Sequence, residues 1–281
     1  MGFLNLGIRG HDIESGSPEQ LAKAVAEKNL YSIQLALGKS FPNLYPGAGN
    51  LSPGLANYIR NCLNKANVNI AVLGCYFNLI HPDHNERKKG INIFKEHIRY
   101  ARDFGCSVVA TETGNVNSEI VYTKKNYREE PFQEVVKEVN VLVEEAEKFG
   151  VIVGIEPGVN HPIYSAKVMK RLLDTVQSNN LQVVLDPANL LTPETMGSQK
   201  KVIREAFQLL GDRIAVIHAK DITIENNKIK EVPIGKGVLN YNVIMEWLKH
   251  HKPSINVLME ATKEPFVDQG RDFLLRKFEN A

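Results

Sequence analysis

Short apolar runs alternate along the chain with longer segments in which apolar residues recur every three or four positions. Runs of about four to eight residues rich in valine and isoleucine are typical of buried strands, whereas the longer period is typical of helices that pack one face on a core. Eight runs are found, and a longer segment follows each of them. They predict strands at residues 3–9, 31–37, 68–74, 107–113, 151–156, 181–186, 213–218 and 255–260.

The clearest helical pattern lies between the third and fourth predicted strands. Its apolar face is formed by Ile91, Phe94, Ile98, Ala101 and Phe104. Residues 131–150 repeat this spacing before the fifth strand. Both segments, 91–105 and 131–150, are therefore predicted to contain helices that cover a sheet.

Capping residues fall where this scheme requires helix ends. Ser17 is a suitable N-cap, Pro18 suits the first helical position, and Gln20 can bond back to a free amide before the helix. Glycine readily adopts the left-handed conformation that ends many helices. It stands at the predicted ends of three helices, as Gly105, Gly150 and Gly211.

Eight strand–helix units without a long linker predict a single (β/α)₈ TIM barrel domain over residues 1–281, because about 250 residues is the usual size of this fold. The competing α/β architecture is a doubly wound open sheet. That fold normally places a G-x-G-x-x-G turn after its first strand, and LGIRGHDIE at residues 6–14 lacks it. The barrel is therefore favoured.

Charge and hydropathy narrow the range of partners. The 281 residues include 34 basic and 32 acidic side chains, for a formal net charge of +2. This balance provides no field that would bind a polyanion, so nucleic acid is not expected. No apolar run approaches the ~20 residues of a membrane span, and the N-terminus lacks a basic leader. A cytoplasmic protein without a membrane partner is expected.

Each of the last four predicted strands ends in an ionisable residue. These residues are Glu156, Asp186, His218 and Glu260. The carboxyl ends of barrel strands meet at one mouth, where three carboxylates would repel one another unless a cation lay between them. Oxygen donors with one imidazole suit a divalent ion, with Mn²⁺ as the first choice and Mg²⁺, Co²⁺ or Zn²⁺ as alternatives. The alternative for Asp186 is a helix N-cap, because Pro187 follows it.

The segments VGIEPG, VVLDPANLL, VIHAKDI and VLMEAT resemble the strand-end motifs of the sugar phosphate isomerase/epimerase family in the xylose-isomerase-like barrel superfamily. That family includes ketose 3-epimerases, inosose dehydratases and hydroxypyruvate isomerases, and apurinic endonucleases share its fold. PIGKG resembles the family's P-x-G-x-G turn. The resemblance implies that Glu156, Asp186, His218 and Glu260 bind one divalent metal, and that the two glutamates are the catalytic acid/base pair. The family's usual D-x-x-H reads here Asp186-Pro187-Ala188-Asn189.

The chemistry that this resemblance implies is proton abstraction beside the carbonyl of a ketose, keto-inositol or related keto-sugar, through a metal-stabilised enediolate. Return of the proton to the opposite face is epimerisation, return to the neighbouring carbon is isomerisation, and loss of a hydroxyl is dehydration. Polar residues near the strand ends are candidates for substrate contacts, although each could instead be an ordinary loop residue: Arg9, His11, Gln34, Asn78, His81, Glu112, Asn189 and Lys220. Asp221 is expected to brace Lys220 or a loop amide.

Two rival functions belong to other classes. A DNA-repair endonuclease of the same superfamily would need more metal-binding histidines, including one where Asn189 stands, and a D-x-H pair within residues 230–237, where the sequence has EVPIGKG at 231–237. A non-catalytic barrel that binds a sugar would have an incomplete ligand set or a broken acid/base pair. The family resemblance also implies a small carbohydrate substrate and assembly as a homodimer or homotetramer.

Overall fold

A closed barrel of eight parallel strands carries the rest of the fold in the computed structural model, which describes residues 3–281. A two-stranded antiparallel hairpin, β8–β9, follows β7, so the eighth barrel strand is β10. Around the barrel the order is β1, β2, β3, β4, β5, β6, β7 and β10, with β10 closing against β1. The strands are β1 Leu6–Arg9, β2 Ser32–Leu35, β3 Asn69–Gly74, β4 Val108–Glu112, β5 Ile152–Glu156, β6 Leu181–Leu185, β7 Ile214–Ala219, β8 Asp221–Glu225, β9 Lys228–Val232 and β10 Asn256–Met259.

Helices connect the strands and cover the outside of the barrel. They are α1 Pro18–Glu27, α2 Leu37–Ser40, α3 Pro53–Lys65, α4 His84–Tyr100, α5 Glu129–Phe149, α6 Ala166–Val176, α7 Gln199–Leu210, α8 Tyr241–His251 and α9 Val267–Glu279. The predicted TIM barrel and all eight of its strand positions are thus confirmed. Within residues 3–281 no helix is both long and apolar enough to cross a membrane.

Helix ends follow the predicted capping chemistry with small differences. The Ser17 side chain accepts a hydrogen bond from the Gln20 amide at the start of α1. The Gln20 side-chain oxygen in turn accepts from the amide of Gly16. Gly150 ends α5 in the left-handed conformation, with φ of 63°. Helix α7 ends at Leu210, and Gly211 does not adopt that conformation because it begins a short 3₁₀ turn.

The helix predicted within residues 91–105 ends before the apolar pattern does. Helix α4 stops at Tyr100, and a turn carries Ala101 and Phe104 back to the core before Gly105 adopts φ of 69°. All five residues of the predicted face are buried. The apolar period therefore identified the buried face correctly but not the last helical residue.

The barrel interior is filled with side chains and forms its own apolar layer. Alternate residues of a strand face opposite sides of the sheet. The inward set packs as a separate cluster, which comprises Val72, Val108, Ala110, Val184, Val216 and Leu258. Neighbouring residues of the same strands, such as Val109, Val183 and Ile217, join the larger core beneath the helices. The strands therefore need apolar residues on both faces.

Gly7 in β1 lies at a tight point of this inner layer. An alanine methyl group there would lie 2.7 Å from the Leu258 side chain and closer still to the Ser32 carbonyl oxygen. We expect Gly7→Ala to lower the free energy of unfolding by about 3 kcal/mol, because backbone atoms cannot move aside cheaply. Urea denaturation of the chelator-treated protein, followed by circular dichroism, measures the effect.

Gly38→Ala is the matched control, because Gly38 lies in α2 with nothing within 4 Å of the added methyl group. Its unfolding free energy should stay unchanged or rise by up to about 1 kcal/mol, since alanine favours helix. Equal denaturation midpoints for the two variants would contradict the tight packing at Gly7.

Candidate metal centre and active site

The polar residues at the mouth continue the inward face of the barrel strands. Side chains alternate along a strand, so the residue two positions after an inward-facing one also faces inward. In β5 this step leads from Gly154, which packs on Val184 of the inner layer, to Glu156. The equivalent steps join Val184 to Asp186, Val216 to His218, and Leu258 to Glu260. The inner core and the site are therefore consecutive layers of the same face.

Four of these side chains meet above the inner layer. One ligand atom from each lies within 4.8 Å of those from the others, in the group Glu156, Asp186, His218 and Glu260. His218 Nδ1 is 3.3 Å from Glu156 Oε2 and 3.5 Å from Glu260 Oε2. The structure thus brings together the four residues that the strand ends singled out.

Four buried polar atoms of the cluster lack a hydrogen bond within the described part of the chain. Among residues 3–281, no hydrogen bond of acceptable geometry reaches Asp186 Oδ2, Glu260 Oε2 or either ring nitrogen of His218. Buried polar atoms in proteins are nearly always satisfied, so a group of unsatisfied donors and acceptors in one place points to a missing partner. Three carboxylates and an imidazole fit a divalent cation. This cluster could therefore bind a divalent metal ion.

The buried charges of the cluster perturb one another. Burial raises the pKa of Asp186, although Lys220 opposes the shift. Burial would lower the pKa of His218, but the negative charges of Glu156 and Glu260 outweigh it and raise that pKa to about 9. Burial would raise the pKa of Glu260, but Lys220 and His218 hold it well below its usual range.

Asp186 serves two structural purposes with its two oxygens. Its Oδ1 accepts a hydrogen bond from the Ala188 amide at 2.8 Å, at the start of a short 3₁₀ turn. Its Oδ2 lies 3.2 Å from Lys220 Nζ within the cluster. The N-cap of this turn is Pro187 rather than Asp186. The amide hydrogen bond occupies one oxygen of Asp186 only, and the other remains available as a ligand.

Neutral donors hold Glu156 in place. The Asn189 side-chain amide donates to Oε1 at 2.8 Å, and the Tyr76 hydroxyl donates to Oε2 at 3.1 Å. Asn189 stands where the family pattern has a histidine, and here it contacts a carboxylate of the cluster directly. The residue that departs from the family motif therefore donates a hydrogen bond to Oε1 of Glu156.

His218 lies beside both glutamates, and Glu260 has two further cations next to it. Its Oε1 contacts Arg9 Nη1, and its Oε2 lies 3.7 Å from Lys220 Nζ. Arg9 is itself paired with Asp12, with Nε 2.8 Å from Oδ2. The two glutamates of the predicted acid/base pair therefore differ in the charge of their surroundings.

Lys220 is buried among acids rather than free at the mouth. Its Nζ lies 3.2 Å from Asp186 Oδ2 and 3.1 Å from Glu231 Oε1. A buried lysine of this kind stays charged only because carboxylates surround it, and these carboxylates raise its pKa against the cost of burial. Contact of Lys220 with a substrate stays a prediction, and a substrate would have to compete with Glu231 for the Lys220 amine.

Glu112 and His161 form a second charged pair at the mouth. Glu112 ends β4 and is the cross-strand partner of Glu156 in β5. His161 Nε2 lies 3.3 Å from Glu112 Oε1, and its Nδ1 donates to the Gly114 carbonyl oxygen at 2.8 Å. Burial would lower the pKa of His161, but the hydrogen bond to Glu112 raises it. The pair orients one oxygen of the predicted substrate contact Glu112.

The remaining candidates occupy loops around the mouth. His11 lies in a 3₁₀ turn after β1, where burial and the charge of Arg9 lower its pKa to about 4. Asn78 uses its amide for loop contacts, including the backbone of Asn115, and His81 Nδ1 accepts from the Asp83 amide at 3.0 Å. Substrate contact by these three residues stays a prediction. Asn78 and His81 already form hydrogen bonds that hold their loops.

Asp221 organises the turn that precedes α8. Its Oδ1 accepts hydrogen bonds from the amides of Ile222 and Leu239, and its Oδ2 accepts from those of Gly235 and Gly237 at 3.0 Å each. It is therefore a brace for loop amides, as the sequence suggested, and Lys220 is held by other residues.

Several residues at the site were not anticipated, namely Asp12, Tyr76, His161 and Glu231. Tyr76 could have been found, because it lies two positions after Gly74 on the inward face of β3. The hairpin that carries Glu231 also had a signal, since Asn226-Asn227 separates two alternating runs and both asparagines adopt positive φ. Asp12 and His161 lie in loops, and no local pattern marks them.

Comparisons with known proteins agree with this fold. A family model described as xylose isomerase-like TIM barrel matches residues 22–277. No curated protein sequence matches the chain. Solved structures with similar folds include a D-tagatose 3-epimerase-like protein, with a TM-score of 0.76 at 19% identity over 99% of this chain and 98% of that one.

Two further structures are similar over almost their whole length. The probable 3-DHS dehydratase AsbF involved in petrobactin synthesis, from Bacillus anthracis, has a TM-score of 0.75 at 16% identity, covering 97% of this chain and 99% of that one. The IOLI protein with a binding zinc atom has a TM-score of 0.71 at 17% identity, covering 99% of this chain and 96% of that one. At these identities the similarity shows the shared fold.

Metal binding at the cluster should release protons. His218, with a pKa of about 9 in the protein alone, is mostly protonated at pH 7.5 and must lose a proton to become a ligand. We expect release of about one proton or more per Mn²⁺ at pH 7.5, with affinity rising toward pH 9. Calorimetry with MnCl₂ in two buffers of different ionisation enthalpy measures this release. Identical heats in both buffers at pH 7.5 would contradict the proposed ligand state.

Proposed function

Since the chain belongs to the xylose isomerase-like TIM barrel family, we propose that it is a metal-dependent sugar epimerase or isomerase. The reaction would begin with removal of a proton beside the carbonyl of a small keto-sugar. The observation that carries this proposal is the convergence of Glu156 and Glu260 on His218, as part of one cluster of four ligand groups. The fold neighbours, which include an epimerase-like protein, support the same class of chemistry.

The two glutamates reach the centre from different parts of the barrel. Glu156 ends β5, Glu260 follows β10, and β6 and β7 lie between these strands. Two carboxylates that approach from separate strands suit a reaction in which one removes a proton and the other returns it. A divalent ion held by the cluster would supply Lewis-acid stabilisation of negative charge on the substrate oxygen.

The surroundings of the two glutamates determine which of them is ionised before the proton transfer. Glu260 is surrounded by cations and is kept ionised, so one of its oxygens can accept a proton. Glu156 accepts hydrogen bonds from the neutral donors Tyr76 and Asn189, and His218 is the cation beside it. We infer that Glu260 is the base in at least one direction of the reaction.

Charge pairing at the mouth favours a neutral substrate over a sugar phosphate. Arg9 is paired with Asp12 and Glu260, and Lys220 is paired with Asp186 and Glu231. A phosphate would have to compete with these carboxylates for either cation. We therefore propose an unphosphorylated ketose or keto-polyol.

A dehydratase of a keto-polyol is the second candidate, because one of the similar folds is a probable dehydratase. Dehydration begins with the same proton abstraction and differs in the loss of a hydroxyl group. The endonuclease alternative has less support, since residues 3–281 contain one metal-ligand cluster and Asn189 replaces the family histidine. The predicted homo-oligomer and cytoplasmic location stay predictions.

Incubation of the Mn²⁺-loaded protein with a panel of free ketoses, keto-inositols and their phosphates in deuterated water tests the proposal. NMR should show deuterium entering the carbon beside the carbonyl in a free sugar, with an epimer or isomer as product. An unsaturated or deoxy product with loss of water would favour the dehydratase. No exchange in any compound would contradict the proposed chemistry.

Replacement of either glutamate should stop this exchange. We expect Glu156→Gln and Glu260→Gln to lower kcat at least about 100-fold, because general acid–base catalysis typically contributes that much or more. Glu144→Gln on the exposed face of α5 is the control and should leave kcat unchanged. Full activity of both site variants would contradict their assignment as the acid/base pair.

A further inference from the structure

Asp12 contacts two of the groups that determine where Glu260 lies. We propose that Asp12 is a positioning residue for Glu260, acting through Arg9 and through the backbone of Ala261. This inference rests on the proposed function, because it matters for catalysis only if Glu260 is a metal ligand and a proton acceptor. Asp12 itself belongs to a 3₁₀ turn after β1 and is 4% exposed.

The first connection is a fork between two side chains. Asp12 Oδ2 accepts from Arg9 Nε at 2.8 Å, and Oδ1 accepts from Arg9 Nη2 at 3.1 Å. A carboxylate that binds a guanidinium through two parallel hydrogen bonds fixes the plane of that group. The third nitrogen, Nη1, then contacts Glu260 Oε1. The direction of Arg9 toward Glu260 therefore depends on Asp12.

The second connection is to the main chain directly after Glu260. The amide of Ala261 donates to Asp12 Oδ2 at 3.2 Å. Ala261 has φ of 52°, in the left-handed region that a residue with a Cβ atom rarely adopts. Such a conformation persists when surrounding contacts hold it. Asp12 provides such a contact at this point.

Glu260 needs this support more than Glu156 does. Glu156 is a residue of β5 and has a ladder partner, Glu112, on β4. Glu260 lies just beyond β10, where its amide donates to the Ala219 carbonyl oxygen on the β7 side. Next to β1, Arg9 contacts its carboxylate and Asp12 accepts from the amide of the following residue, Ala261. Loss of Asp12 would remove the bond to the Ala261 amide and the two hydrogen bonds that orient Arg9 toward Glu260.

Calorimetric titration of the chelator-treated protein with MnCl₂ tests this role without any substrate. Mutation of residues that orient a metal ligand typically weakens metal affinity about 10- to 100-fold. We expect Asp12→Asn to raise the Kd for Mn²⁺ by that factor. Asp268→Asn is a matched control, because Asp268 also pairs with an arginine three positions along, Arg271, and its side-chain hydrogen bonds go to Arg271 and Lys28 rather than to the cluster. It should leave the Kd unchanged.

A double-mutant cycle separates positioning from general destabilisation. If Asp12 acts through Glu260, Asp12→Asn should change the Kd less than about threefold when Glu260→Gln is already present, since residues of one network are not additive. Equal losses in both backgrounds, or an unchanged Kd in Asp12→Asn alone, would overturn the proposal. Thermal unfolding of each metal-free variant shows that the compared proteins are folded.

Arg9→Lys provides a second route if Asp12→Asn does not fold. Lysine keeps the charge but cannot form the fork, so the same loss of Mn²⁺ affinity is expected, and unchanged affinity would overturn the proposal. Failure of the wild-type protein to bind Mn²⁺ would overturn the proposed function together with this role. Normal binding by the wild type and by Asp12→Asn would overturn the role of Asp12 alone.

Discussion

Repulsion between three carboxylates at the barrel mouth is the constraint on which the rest of the site depends. Glu156, Asp186 and Glu260 converge within a few ångströms of one another, in surroundings where charges are costly unless paired. In the protein alone, Lys220 and His218 supply nearby positive charge. Both groups lie on β7 or just after it, between the strands that carry the acids. The strand order therefore interleaves cations with anions.

The same constraint explains why hydrogen bonding at the centre is incomplete. Attraction between charges brings His218 and Lys220 close to the carboxylates, but the contacts are poorly aligned as hydrogen bonds. A folded protein seldom leaves so many buried polar atoms unsatisfied in one place. The arrangement is better suited to a small ion with several ligands than to a permanent network of hydrogen bonds. Outside this centre, Arg9 and Asp12 are joined by two side-chain hydrogen bonds.

The barrel links stability to the site through the alternation of side chains. Inward-facing residues such as Val184 and Leu258 form the apolar layer, and the next inward positions are Asp186 and Glu260. A shift of one residue in a strand would turn the ligand outward and place an apolar residue at the mouth. Tight packing of the inner layer, as at Gly7, thus fixes the height and direction of the ligands. Residues that follow the strands then hold the ligands through hydrogen bonds, as Asn189 does for Glu156.

The sequence by itself determined the eight strands, the barrel and the four converging residues, because these depend on local periodicity and on the rule that strand ends meet at one mouth. Only the tertiary structure decided which groups hold those residues. Asp12 meets the backbone at Ala261, and His161 meets Glu112, across long separations in sequence. Contacts of this kind arise when loops from different units fold over the same mouth. No periodic pattern records them, since each depends on the conformation of two loops at once.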